Sequence, residues 1–258
     1  MRAPTNPFKI ALSQSKALFG CWLGLASPIS TELMGTTGFD WLVIDGEHGP
    51  NDLRSIYAQL QVLEASDSHA VVRVPIGETY LIKQILDAGA QTILVPMVET
   101  AEQASQLVRD VTYPPHGERG VGYAVARAGL FSKRTQYGTT ADAEICLLVQ
   151  VENLRGLENL DEILSVEGVD GVFIGPADLA ADMGHMGDAM HPDVIDTILN
   201  AITRIKAAGK APGILATQDT MIQAALDAGA QFVAVGADVL ILSQTARNLS
   251  EKWKTTSK

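Results

Sequence analysis

Three apolar runs end abruptly in groups that can do chemistry. Trp41-Leu42-Val43-Ile44 stops in Asp45-Gly46-Glu47-His48, Leu147-Leu148-Val149 runs into Gln150-Val151-Glu152, and Val172-Phe173-Ile174 runs into Gly175-Pro176-Ala177-Asp178. A buried strand that ends in acids and an imidazole has left the core and entered a pocket. Glu152 and Asp178 follow successive strands, so both carboxylates can reach one point. Such a pair suits a hard divalent cation with open water positions: Mg2+, Mn2+ or Co2+. Each acid could instead cap a helix or pair with an arginine, and Asp178 stands where Gly-Pro-Ala-Asp looks like a helix start. Arg73 lies within Val71-Val72-Arg73-Val74, where a guanidinium is costly unless it points into a polar site. It reads as an anion clamp or oxyanion stabiliser, or as a structural bridge to Asp45 or Glu47. His48 is the one histidine of five placed just after a strand end; His69, His116, His185 and His191 fall in loops or before strands. A general base working near neutral pH is its natural role, with metal ligand and exposed loop residue as the alternatives. The amides of Ala177 and Asp178, at the start of a helix, could dock a carboxylate.

Some chemistries are disfavoured. None of the nine lysines lies within a strand-like run. A Schiff-base mechanism needs a lysine desolvated inside the fold, so imine chemistry is not expected. There is no Walker-type phosphate loop. The Gly236-Ala237-Asp238 turn is at most a weak phosphate candidate.

Eight short strands must position these groups: Gly20–Leu25, Trp41–Ile44, Val71–Val74, Thr92–Val95, Cys146–Val151, Gly171–Ile174, Pro212–Leu215 and Phe232–Val235. They are continuous apolar runs, as expected of parallel strands covered on both faces. Helical patterns such as Thr79–Ala88, Ala101–Val111, Pro192–Ala208 and Thr220–Ala228 alternate with them. The expected fold is one (β/α)8 TIM barrel spanning residues 1–258, with a short N-terminal helical lead-in. Leu86-Asp87-Ala88-Gly89-Ala90-Gln91 recurs as Leu226-Asp227-Ala228-Gly229-Ala230-Gln231, each copy closing a helix on a C′ glycine before a strand opens. The connection near 112–143 is too long for a plain unit and is expected to be an active-site or interface loop.

Composition bounds the rest. The chain has 258 residues, 47% of them hydrophobic, enough for a full core of barrel size. Its formal net charge of −11 argues against nucleic acid and anionic membranes. An anionic substrate would then need local cations. No apolar stretch is long enough to span a bilayer, and Met1 to Lys16 has no signal-like apolar region, so a cytoplasmic protein is expected. Cys21 and Cys146 sit in apolar runs and read as core residues, not as a disulfide.

Taken together, these segments resemble the HpcH/HpaI class II pyruvate aldolases. The resemblance rests on Phe39 to His48, Leu94-Val95-Pro96-Met97-Val98, Tyr113-Pro114-Pro115 with Arg119-Gly120-Val121-Gly122, Val149 to Glu152, Gly168 to Leu179, and Phe232 to Gly236. It implies a metal-dependent lyase that cleaves a 4-hydroxy-2-oxo acid to a 2-oxo acid and an aldehyde. Glu152 and Asp178 would hold the ion. Gln150, the Ala177 amide and Asp178 would contact the 2-oxo acid, Arg73 would stabilise the enolate, and His48 would be the base. Asp87 matches an aspartate that raises the basicity of that histidine. It ends a helix on the barrel floor, so it would reach His48 only from a neighbouring subunit. The resemblance implies a homo-oligomer, often a hexamer. A CoA-thioester lyase on the same scaffold and a catalytically silent barrel are the alternatives. The former should carry a basic cluster near the mouth, and none is evident.

Overall fold

In a computed structural model, which describes residues 1–256, eight parallel strands close into a barrel. They are β1 (Leu18–Leu23), β2 (Trp41–Asp45), β3 (His69–Arg73), β4 (Thr92–Val95), β5 (Cys146–Val151), β6 (Gly171–Ile174), β7 (Ala211–Leu215) and β8 (Phe232–Ala237). Each pairs with its sequence neighbour, and β8 pairs with β1. The expected (β/α)8 fold is thus present. No described helix is long and apolar enough to cross a membrane.

Strand periodicity divides the core in two. Leu42, Ile44, Val72, Ile93, Leu147, Val149, Val172 and Ile174 point outward and pack under the helices. Trp41, Val43, Val71, Leu94, Cys146, Leu148, Phe173 and Phe232 point inward and fill the barrel. The inward rings pack edge-to-face and tilted: Trp41 lies 5.8 Å from Phe232 and 6.2 Å from Trp22, and Trp22 lies 5.4 Å from Phe173. Gly20 and Gly213 make room for them, since a Cβ on either would run into the Trp41 or Phe232 ring. The helix Pro7–Ser13, capped by the Asn6 side chain on the Lys9 amide, adds Phe8 and Leu12 to the same cluster.

The strand boundaries differ from expectation at five strands; β7 starts one residue earlier, at Ala211, and β8 runs on to Ala237. β1 begins at Leu18 and ends at Leu23, because the Asp238 carboxylate takes the amides of Gly24 and Leu25 out of the ladder. That carboxylate also fills the turn considered for phosphate. β2 includes Asp45. β3 includes His69, which pairs in register with Trp41, stacks on Phe8 at 5.4 Å and bonds to Thr92 Oγ1 at 2.8 Å. His69 therefore lies within the sheet as the first residue of β3, not in a loop or ahead of the strand, and burial lowers its pKa to about 4. The helices match closely: Thr79–Asp87, Ala101–Val111, Pro192–Ala207 and Asp219–Ala228. Gly89 and Gly229 follow two of them at φ +106 and +108, the left-handed region where glycine ends a helix without strain. Both cysteines are free and buried.

The long connection begins after the helix Ala101–Val111, so it lies at the floor of its own barrel, opposite the strand C-termini. It packs through Tyr113, Tyr123 and Tyr137, and Arg127 Nη1 donates to Ala88 O at 3.0 Å. The last helix, Asp238–Thr256, leaves Leu240, Ile241, Leu242 and Leu249 about half exposed, at 48–60%.

Candidate active site

Strand parity sets the rim. Trp41 and Val43 point into the barrel, so Asp45 does too; Val71 leads likewise to Arg73, and Leu148 to Gln150 and then Glu152. Asp45, Arg73, Gln150 and Glu152 are all buried, between 2% and 6% exposed. Asp45 is the hub. Its carboxylate accepts from Arg73 Nε and Nη2, each at 2.8 Å, and from the amides of Glu47 at 3.0 Å and His48 at 3.3 Å. Arg73 Nη1 reaches Glu47 Oε2 at 2.7 Å, and its guanidinium lies over Trp22, 5.3 Å from the ring centre. The structural bridge considered for Arg73 therefore exists, to both acids. It leaves the guanidinium at the mouth beside the other carboxylates.

Glu152 is held from two sides. Its Oε1 accepts from the Met97 amide at 2.9 Å and its Oε2 from Gln150 Nε2. Met97 adopts φ +55 to present that amide, backbone strain for a side chain other than glycine. Gly175, across the β5–β6 pairing, is the only residue type that fits there: a Cβ would collide with Glu152 Oε2 and lie 2.8 Å from Glu152 Cβ. Asp178 is exposed in the first turn of the helix Pro176–Asp182, and Ala177 is exposed beside it.

The electrostatics follow. Burial raises the pKa of Glu152, and the charges of Glu47 and Asp178 add to the rise. Burial also raises Glu47, against the pull of Arg73. For Asp45 burial works upward, but hydrogen bonds and charge from Arg73, with the two amides, hold it below the ordinary carboxylate value. Glu47, Glu152 and Asp178 thus form a cluster of mutually repelling acids with one arginine at its edge.

His48 is at the rim with its side chain 67% exposed, and its Nε2 lies 3.9 Å from Glu47 Oε2. Asp87 is elsewhere. It closes the helix Thr79–Asp87, and its Oδ1 lies 3.6 Å from Nη2 of the fully buried Arg119, which stacks on Tyr113 at 4.4 Å. Within this chain no contact joins Asp87 to His48. Asp87 Oδ1 and two Arg119 nitrogens are buried without hydrogen-bond partners.

The residues suit a divalent cation. Two carboxylates at a crowded acidic rim are what such an ion needs from protein, with remaining positions for substrate and water. Gln150 Oε1 is buried without a partner beside them, and the glycine at 175 keeps space open against Glu152. Sequence reading missed the Met97 amide and Gly175 as a spacer, and read Asp45 only as a bridge partner of Arg73, not as the residue that also takes the Glu47 and His48 amides. Only Asp45 carried a local signal, by ending an apolar run at an inward position.

Acids, an arginine and a histidine on the strand C-terminal rim define a barrel enzyme. The chain belongs to the HpcH/HpaI aldolase/citrate lyase family, whose model matches residues 18–245, and it is a carbon–carbon lyase of the aldolase kind. It is 61% identical to a hydroxypyruvate/pyruvate aldolase of Roseobacter denitrificans over 254 residues, 98% of this chain and 99% of that one. It is 51% identical to a 2-keto-3-deoxy-L-rhamnonate aldolase of Escherichia coli over 239 residues, 93% and 90% of the two chains. Among solved structures it resembles an HpcH/HpaI aldolase/citrate lyase family protein of Burkholderia cenocepacia, with TM-score 0.93 and 40% identity, covering 97% of this chain and 100% of that chain.

Proposed function

We propose that this enzyme reversibly cleaves a 4-hydroxy-2-oxo acid to pyruvate or hydroxypyruvate and an aldehyde, with a divalent cation held by Glu152 and Asp178. The observation that carries the reading is the pairing of a buried, doubly held Glu152 with a strand-end arginine, Arg73, on one rim. A bound Mg2+, Mn2+ or Co2+ supplies Lewis acidity toward the 2-oxo group. Gln150 and the Ala177 amide orient the 2-oxo acid, and Asp178 flanks it. His48 removes the proton of the C4 hydroxyl; the C3–C4 bond then breaks, its electron pair passing to C3 and the 2-oxo oxygen. Arg73 stabilises the charge that develops there. Asp87 assists His48 from an adjoining subunit in a homo-oligomer, a hexamer on the family resemblance. The half-exposed apolar helix Asp238–Thr256 supports association. Free, buried cysteines accord with a cytoplasmic setting.

The test is turnover after chelator treatment. Pyruvate release from a 4-hydroxy-2-oxo acid, and decarboxylation of oxaloacetate, should both vanish and return with Mn2+ or Co2+. Glu152→Ala and Asp178→Ala should not respond to added metal. Undiminished turnover in the chelated enzyme would overturn the reading.

A further inference from the structure

Asp45 holds both ends of the loop that carries Glu47 and His48. Its carboxylate takes their two amides at the near end, and its carbonyl oxygen accepts from Asn51 Nδ2, 2.9 Å away, at the far end. A Cβ at Gly49 would lie 2.6 Å from the same carbonyl, so the loop is folded tightly back on it. Behind Asn51 stands Gln59, fully buried on the helix Leu53–Leu63. Its Nε2 donates to Asn51 Oδ1 at 2.6 Å and to Ser55 O at 3.1 Å, and its Oε1 accepts from Thr31 Oγ1 at 2.9 Å. We propose that Asn51, oriented by Gln59, is a positioning residue that sets where His48 stands at the rim, a role that rests on the reading of His48 as the base.

The direction of each bond in this chain follows from the first acceptor. A carbonyl oxygen can only accept, so Asn51 turns its Nδ2 to Asp45 and its Oδ1 to Gln59. Gln59 must then present Nε2 to Asn51 and Oε1 to Thr31, whose hydroxyl donates. Asn51 Oδ1 has a second donor in Ser55 Oγ at 2.8 Å, which fixes the plane of the amide. Thr31 belongs to the helix Pro28–Gly35 and is 1% exposed. The foot of the His48 loop is thereby tied through two side-chain amides to two helices outside the barrel.

Neither packing nor capping requires this arrangement. Ile56, Leu60 and Leu63 on the buried face of the same helix are aliphatic, and an amide among them is costly unless every polar atom is paired. The helix start is already closed by Asp52 and Ser55, each side chain taking or giving a bond to the other's backbone. What Asn51 and Gln59 add is the bond to Asp45 O. Asp45 itself stays in register with Arg73 through the sheet. Loss of the Asn51 bond therefore falls on the loop beyond Asp45, and on His48 in particular, since Glu47 is also held by Arg73 Nη1.

The test compares aldol cleavage with oxaloacetate decarboxylation in the metal-loaded, full-length enzyme. Asn51→Ala should lose about tenfold or more in kcat for cleavage, with KM held within about twofold and decarboxylation nearly kept. Gln59→Met, close in volume but without hydrogen bonds, should lose cleavage in the same selective way. Gln59→Glu supplies a signature that general damage would not. Burial raises the pKa of the introduced carboxyl, and only its protonated form can donate to Asn51 Oδ1. Its cleavage rate relative to wild type should therefore recover as pH falls from about 8 to about 6. Wild-type cleavage in Asn51→Ala or Gln59→Met, equal losses in the two reactions, or a Gln59→Glu profile parallel to wild type would overturn the proposal while His48→Ala still loses cleavage. Cleavage unharmed in His48→Ala would instead remove the base itself, and this role of Asn51 with it.

Discussion

Asp45 and Arg73 are register partners on β2 and β3, joined by two hydrogen bonds of 2.8 Å each. This two-pronged pairing uses the planar guanidinium in a way that an ammonium cannot reproduce. Arg73→Ala should remove the charge stabiliser and leave a buried Asp45 without its counterion. Expected losses are about 100- to 1000-fold in kcat/KM and about 3–5 kcal/mol in stability. Arg73→Lys should remain at least about tenfold slow although its charge is kept. Steady-state kinetics and urea unfolding check both; a fully active Arg73→Lys would reduce the arginine to a point charge.

Gly175→Ala tests the placement of Glu152. The added methyl would collide with the Glu152 carboxylate. Metal-supported turnover should fall about 100-fold or more, because a displacement near 1 Å at a reacting centre costs that much. Far-ultraviolet circular dichroism should be unchanged. Near-normal turnover with ordinary metal affinity would show that Glu152 can shift without consequence.

His48→Ala should separate two reactions. Aldol cleavage needs a proton taken from the C4 hydroxyl, while decarboxylation of oxaloacetate does not. The first should fall about 100-fold and the second much less. Equal losses in the two assays would point to a different base.

Asp87→Asn addresses the subunit-shared histidine–aspartate pair. Mixed oligomers of His48→Ala and Asp87→Asn chains should recover part of the wild-type activity, since some sites would draw an intact residue from each chain. Thermal unfolding of Asp87→Asn alone controls for lost contact with Arg119. Mixtures no more active than either parent would place Asp87 in a structural role.

His69 should make the fold sensitive to acid. Burial holds its folded pKa near 4, below the ordinary 6.5, so the unfolded chain takes up this proton more readily. The stabilisation is complete above about pH 6.5 and drains away as pH falls toward 4. The ring retains some exposure, and the loss should be about 2 kcal/mol. Denaturant unfolding at pH 7, 5.5 and 4 should show a shallower decline in His69→Gln than in wild type.

The eight strands and their order were legible because apolar runs mark them, and period-two alternation carries Trp41 to Asp45 and Leu148 to Glu152 along the inward face. What stayed hidden depends on partners distant in the chain. His69 looks like a loop residue until Phe8 stacks on it and Thr92 bonds to it. The end of β1 depends on Asp238, more than two hundred residues away. The Met97 amide is a backbone group in a left-handed conformation and has no side-chain signature.

The interlocked rings of Trp22, Trp41, Phe173 and Phe232, backed by Phe8, fill the barrel below the rim. Aromatic side chains thus lie between the barrel floor and the acids above. On the proposed reading, reactant and product come and go by the strand C-terminal face, and whatever covers that face during a turnover governs both.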